Sequence, residues 1–231
     1  MLSGEQKERY SRHLLLEGFD QERLRAARVL VIGTGGLGSP VCLYLAAAGV
    51  GVLGIADGDV VSLSNLQRQL LHASPDLGRL KTDSASEKLR ALNPEVKIVC
   101  HPEFVTDESA DALVADYDFV VEATDNFASR YRINDACMRA GKPFCIGGVS
   151  HFSGQAMTCI PGVSASYRDL FPEEPEASAD GPLPVLGPAV GILGSIMACE
   201  VIKYLCGMGD LLTDRLLVFN ALTMEFNTLT F

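Results

Sequence analysis

The stretch from residue 28 to residue 59, RVLVIGTGGLGSPVCLYLAAAGVGVLGIADGD, leaves a chain of this kind few folds to choose from. It predicts a strand, a glycine turn, a helix and a second strand in immediate succession. Residues 29–32 are a continuous apolar run, the pattern of a strand buried on both faces. Gly33, Gly35 and Gly38 then complete G-x-G-x-x-G. Residues 39–48 are small or apolar, which suits a helix lying close against a sheet. Residues 51–56 predict a second buried strand ending on Asp57, nineteen residues after Gly38. That interval is close to the roughly 20 of the nucleotide-binding fingerprint.

Each part has a chemical purpose. Glycines let the backbone approach a phosphate, and a helix N-terminus presents unpaired N–H groups with a partial positive charge. The acid accepts hydrogen bonds from ribose hydroxyls. The pattern does not choose among NAD, FAD, S-adenosylmethionine and ATP, and a glycine turn used only for tight helix–sheet packing would look similar.

The rest of the chain predicts a doubly wound sheet. A helix is expected over residues 5–16, with Tyr10, Leu14 and Leu15 near one face, and a short polar helix over 21–27. Ser64, Asn65, Arg68 and Gln69 form a polar cluster, followed by Lys81. Residues 83–92 read as an amphipathic helix with Ala85, Leu89 and Leu92 as its apolar stripe, stopped by Asn93-Pro94. Strands are expected at 96–100 and 118–123 with a helix at 107–115 between them. The alternation gives an α/β, Rossmann-like sheet, parallel in the N-terminal half. Ligands of such sheets lie at the carboxyl ends of the strands, where Gly33 to Gly38, Asp57 and Asp125 all fall. The second half follows a different pattern, with strands at 143–145 and within 151–160, then an antiparallel pair at 215–220 and 224–231. A single domain of 231 residues is expected, with N-terminal helices (1–27), a nucleotide-binding core (28–160), a mobile crossover loop (161–185) and a helix with terminal strands (186–231).

Composition bounds the partners. A formal charge of −10 argues against nucleic acid and anionic membranes. Residues 181–199 carry no charge, but three prolines and four glycines there, with Glu200 and Lys203 beyond, suit a loop and a buried helix better than a membrane span. The seven cysteines include no C-x-x-C pair and mostly sit in apolar runs. Buried free thiols in a reducing cytoplasm are therefore expected. MLSGEQKERY is too polar for a signal peptide.

GTGGLGSP, LSNLQRQ, the lysine of GRLKTDSA, TDN and an early RYSRH all occur in the chain. In these motifs the chain resembles the ThiF/MoeB/HesA group, bacterial relatives of the ubiquitin-activating enzymes, over essentially its whole length. The resemblance implies an ATP-dependent adenylyltransferase. Such an enzyme activates the C-terminal carboxylate of a small ubiquitin-like sulfur carrier, in a thiamine, molybdopterin or related thiocarboxylate pathway, and releases pyrophosphate. It also implies residue roles. Asp57 would hold the ribose, with Gly36 in the loop beside the nucleotide. Asn65, Arg68 and Lys81 would hold the phosphates, and Asp125 would position Mg²⁺. Gln69 and Asn126, inside the same motifs, join the set expected to line the nucleotide. Arg12 matches an arginine that reaches the ATP site of the other subunit in homodimers.

Elementary chemistry agrees with these roles. A carboxylate attacking an α-phosphate is repelled by the triphosphate, so fixed cations must neutralise the charge. Arg68 and Lys81 supply it, and Asp125 offers a hard oxygen to Mg²⁺. Alone, the two cations could equally be solvated surface charge.

Two departures stand out. Many members carry C-x-x-C in a CYRCLFP-like segment as half of a structural zinc site. This chain has SYRDLFP, with Ser166 and Asp169 at those positions, so no zinc is expected. Members that form a covalent sulfur link place a cysteine in the crossover loop, where EEPEASADGPLP offers Ser178 as the nearest match. Adenylation does not need that cysteine. A nucleotide-binding scaffold without transferase activity and an NAD-dependent oxidoreductase stay open. The phosphate and magnesium cluster favours adenylation over the latter.

Overall fold

The computed structural model describes residues 2–175 and 184–231. Helices α1 (Gly4–Arg9) and α2 (Gln21–Ala26) precede β1 (Arg28–Ile32), α3 (Gly38–Ala48) and β2 (Val52–Ala56). Then follow α4 (Lys81–Leu92), β3 (Lys97–His101), α5 (Asp107–Ala115), β4 (Phe119–Glu122) and α6 (Phe127–Ala140). The second half contains β5 (Phe144–Ser150), β6 (Ser153–Cys159), α7 (Tyr167–Leu170), α8 (Gly187–Cys206), β7 (Arg215–Asn220) and β8 (Glu225–Thr230).

One eight-stranded sheet runs β3-β2-β1-β4-β5-β6-β7-β8. The first five strands of that order pair in parallel, and the β5–β6, β6–β7 and β7–β8 pairs are antiparallel. The expected change from parallel to antiparallel therefore falls at β5. Strand order reverses between β1 and β4, and such a switch point opens a crevice at the carboxyl ends. In β1 the alternate residues serve two cores. Val29 and Val31 pack under α3 and α8 with Val41, Leu45, Leu193 and Met197. Leu30 and Ile32 face Val114, Tyr117, Tyr131 and Ile133 of the α5–α6 side. A strand serving two cores has no room for a polar face, which is why it reads as unbroken apolar sequence.

Several expectations need correction. The helix of residues 5–16 ends at Arg9, because Tyr10 turns inward. Asn93 Nδ2 donates to Tyr10 Oη at 3.0 Å and to the Ala46 carbonyl at 2.8 Å. Leu14 and Leu15 do not share that burial; both are exposed, as is Leu92 of the expected α4 stripe. Strand β5 runs on to Ser150, past the Gly147-Gly148 pair. Gly147 leaves space for Met197 and Gly148 for the Arg130 guanidinium. The expected mobile loop of 161–185 contains the ordered helix α7, capped by Ser166. Ser178 lies outside the described residues.

Helix α8 has the length and composition to cross a bilayer. Instead it packs into the core, and its Glu200 is buried. Glu200 accepts from Thr158 Oγ1 at 2.6 Å and from the Leu212 N–H at 2.7 Å, and pairs with Lys203. Five cysteines are buried, Cys100 is half-buried and Cys199 is exposed, the last against expectation. All seven are free thiols. Burial pushes the Cys159 thiol up to about 12.

Candidate active site

The glycine turn joins β1 to α3. Gly33 has φ +93°, and a Cβ there would stand 2.7 Å from the Ala123 carbonyl. A Cβ on Gly38 would stand 1.9 Å from the Gly33 carbonyl. Only glycine fits either position, and the closeness brings Ala123 and the Thr124 N–H, just after β4, against the turn. No acceptor among the described residues takes the N–H of Gly36, which leaves it available to a ligand.

Asp57 ends β2 and is 9% exposed. Its Oδ2 accepts from the Thr34 N–H at 2.8 Å and from Thr34 Oγ1 at 3.0 Å; its Oδ1 accepts from the Asp59 N–H at 2.9 Å. Asp59 extends the network, since its Oδ2 accepts from Lys81 Nζ at 2.8 Å and its carbonyl from the Lys81 N–H at 2.9 Å. Lys81 is buried at the start of α4. The Val60–Leu80 bridge closes the loop between these residues.

That loop carries the polar cluster. Asn65 is a bracing residue here, its Oδ1 accepting from the Ser62 N–H at 3.1 Å. Arg68 donates to the Ser64 carbonyl at 3.1 Å, and its Cγ and Cδ lie 3.6 Å from where a Cβ on Gly36 would stand. Gln69 is buried, with Nε2 3.2 Å from the equivalent point on Gly35 and Oε1 without a partner. The start of α8 joins them: a Cβ on Gly187 would lie 2.7 Å from the Gln67 carbonyl, and Val190 stands 3.4 Å from the Gly36 position.

Asp125 is exposed and makes no hydrogen bond or ion pair among the described residues. Asn126 caps α6, accepting from the Ser129 N–H at 2.8 Å. Beneath them Glu122 is fully buried. Its Oε1 accepts from the Thr124 N–H at 2.8 Å and from the Thr124 hydroxyl, and Arg130 Nε lies 3.4 Å from Oε2. Arg130 also donates to the Gly147 carbonyl at 3.1 Å. Burial pushes the Glu122 carboxyl up, opposed by Arg130 and the two Thr124 donors. On the other side of the turn Asp76 anchors the loop. Burial pushes its carboxyl up, but Lys88 and the Ala73 N–H outweigh this and hold it at about 2.

Gly33, Gly35, Gly36 and Gly38 thus follow β1, Asp57 follows β2, Asp125 and Asn126 follow β4, and Asn65, Arg68, Gln69 and Lys81 lie between β2 and the first turn of α4, with Arg68 and Gln69 against the glycine turn. Arg12 lies elsewhere. It is exposed, two residues beyond Tyr10, whose hydroxyl lies 2.3 Å from where a Cβ on Gly49 would stand. Gly49 caps the far end of α3, eleven residues or about 16 Å from the glycine turn.

Sequence reasoning does not single out Thr34, Asp59, His72, Glu122 or Arg130. D-G-D after the second strand is the one signal for Asp59. Ser166 and Asp169, at the positions where many members carry cysteines, bond to each other. The Ser166 N–H and Oγ reach Asp169 Oδ2, both at 2.8 Å, capping α7. Among the described residues no three metal-ligating side chains cluster.

A glycine turn after β1, an acid after β2 and polar residues after β4, all at a switch point, define an α/β protein of the nucleotide-binding kind. More narrowly, the chain belongs to the ThiF family, whose model matches residues 10–231. It is 46% identical to the probable adenylyltransferase/sulfurtransferase MoeZ of Mycobacterium tuberculosis, over 99% of this chain and 61% of that relative, so it spans about three-fifths of that protein's length. It is 42% identical to the SAMP-activating enzyme E1 of Haloferax volcanii, over 100% of this chain and 87% of the relative. The sulfur carrier protein adenylyltransferase of Thermus thermophilus is 41% identical over 98% and 88% respectively. Among solved structures, PaaA superposes with a TM-score of 0.85 at 27% identity, covering 99% of this chain and 74% of PaaA. E. coli MccB gives 0.88 at 20% identity over 99% and 71%, a likeness of fold alone.

Proposed function

We propose that this protein is an ATP-dependent adenylyltransferase that activates the C-terminal carboxylate of a ubiquitin-like sulfur carrier. The observation that carries this is the placement of Arg68 against Gly36, with Lys81 buried and paired to Asp59, two residues after Asp57. Fixed cations at a glycine turn suit a triphosphate that must lose pyrophosphate; a dinucleotide site has no need of them. The names of relatives at 41–46% identity support the same reading.

In this mechanism Asp57 orients the nucleotide through its ribose. Backbone N–H groups of the turn, with Arg68, Lys81, Asn65 and Gln69, hold the phosphates. A terminal carboxylate is already ionised near neutral pH, so no base is required. Its oxygen attacks the α-phosphorus and forms the acyl–phosphate bond as the bond to the β-phosphate breaks. The electron pair leaves with pyrophosphate, whose charge Arg68 and Lys81 offset.

The unpartnered Asp125 carboxylate fits Mg²⁺, which typically takes one or two carboxylates, waters and substrate phosphates rather than an all-protein cage. When bound, Mg²⁺ would neutralise phosphate charge there. Arg12, far from its own turn, completes the site of a partner subunit in a homodimer. The free thiols support a cytoplasmic location. Incubating the protein with ATP, Mg²⁺ and candidate carriers, followed by intact-mass analysis, tests the reading. A carrier gaining one AMP supports it; no adduct on any carrier with a free carboxyl terminus, under conditions that trap adenylates, refutes it.

A further inference from the structure

His72 is buried in the run Leu70-Leu71-His72, and both its ring nitrogens are engaged. Nε2 lies 3.0 Å from the Thr34 carbonyl and Nδ1 2.9 Å from Ser84 Oγ. A carbonyl only accepts, so Nε2 carries the proton and Nδ1 accepts from the Ser84 hydroxyl. Thr34, fully buried, donates its N–H and hydroxyl to Asp57 Oδ2. Donors therefore point one way along Ser84, His72, Thr34 and Asp57. Thr34 stands between Gly33 and Gly35, where the backbone is softest, and the His72 bond pins the peptide there.

The consequence falls on the Asp57 carboxylate. Oδ2, with two donors, is saturated, whereas Oδ1 holds one donor and keeps a lone pair free. We propose that His72 is a positioning residue: through Thr34 it fixes the Asp57 carboxylate so that Oδ1 receives the ribose hydroxyls. This rests on the reading of the site as an ATP site. Neutral His72 suits the role. Burial lowers its pKa, with Lys81 and Lys88 acting the same way against the Thr34 carbonyl and Asp57.

Calorimetric affinities for MgATP and Mg–2′,3′-dideoxy-ATP separate this role from core filling. The native protein is expected to prefer ATP by roughly tenfold or more, the worth of hydrogen bonds to a charged acceptor. In His72→Ala the preference should fall to about twofold, with little change for the dideoxy analogue. His72→Gln, whose amide N–H can reach the Thr34 carbonyl, should recover most of it. Equal weakening of both nucleotides in His72→Ala, or a native protein that binds ATP without preference, overturns the proposal. Absence of ATP binding by the native protein would instead defeat the nucleotide reading beneath it. If His72→Ala does not fold, Ser84→Ala keeps the ring and decides the matter. Its preference should drop by about threefold, and an unchanged preference overturns the proposal.

Discussion

Lys81 donates from Nζ to Asp59 Oδ2 at 2.8 Å with its own side chain 7% exposed and that of Asp59 55% exposed. The cation is thus held by a carboxylate that water still reaches, while the Lys81 main-chain N–H ties the same two residues together through the Asp59 carbonyl. Lys81→Met should therefore lower adenylation by about 10²–10³-fold, the scale for losing one preorganised transition-state contact. The stranded Asp59 charge stays hydrated, so the melting temperature should move little. Exchange kinetics beside a thermal melt check both halves. A large melting shift with unchanged turnover would make the pair structural.

Two glycines of the turn should respond in opposite ways. A methyl on Gly38 meets the Gly33 carbonyl at 1.9 Å, so Gly38→Ala must break the turn. A loss on the order of 3 kcal/mol or more is expected in denaturant unfolding. A methyl on Gly36 meets nothing closer than 3.4 Å. Gly36→Ala should unfold like the native chain yet bind ATP at least about tenfold more weakly, because the methyl crowds the turn where phosphate would approach.

The Glu122–Arg130 pair underlies the Thr124–Asn126 segment. Arg130→Met strands a fully buried carboxylate and should cost about 3–5 kcal/mol. The double variant Glu122→Gln with Arg130→Met should be more stable than Arg130→Met alone, since it leaves no buried charge. Urea unfolding of both variants measures this; a double variant less stable than the single would contradict it.

The strands and glycine turn are legible in the sequence because a doubly buried strand cannot hide its apolar run, and because a G-x-G-x-x-G turn tolerates no side chain at Gly33 or Gly38. Helix α6 escapes a reading of sequence for the converse reason. Its buried face includes Arg130 and Asn134, polar groups satisfied by Glu122, Gly147 and the Tyr167 N–H, so no apolar stripe marks it. The early end of α1 at Arg9 depends on Tyr10 meeting Asn93, a contact 83 residues away that no local pattern encodes. The site residues after β1, β2 and β4 follow from motifs. The braces behind them are not marked as such: Thr34 is an unspecified position of the glycine motif, Glu122 lies among apolar residues of an expected strand, and His72 follows two leucines in a loop.

Arg12 stands away from its own glycine turn, which yields a prediction about assembly. Arg12→Ala and Asp125→Ala should each be nearly inactive, with losses on the order of 2–4 kcal/mol. A co-expressed, doubly tagged heterodimer of the two variants would contain one site with both defects and one with neither. Activity at up to about half the native level per dimer is expected from that geometry. A heterodimer as silent as its parents would place Arg12 outside any shared site.

ATP–pyrophosphate exchange is the most direct measurement of the central claim, because it reports reversible formation of an acyl-adenylate and nothing later. Label from pyrophosphate should enter ATP only when Mg²⁺ and a carrier with a free C-terminal carboxylate are both present, and Lys81→Met and Asp125→Ala should abolish it. Tight binding of NAD with no ATP binding and no exchange would contradict the account.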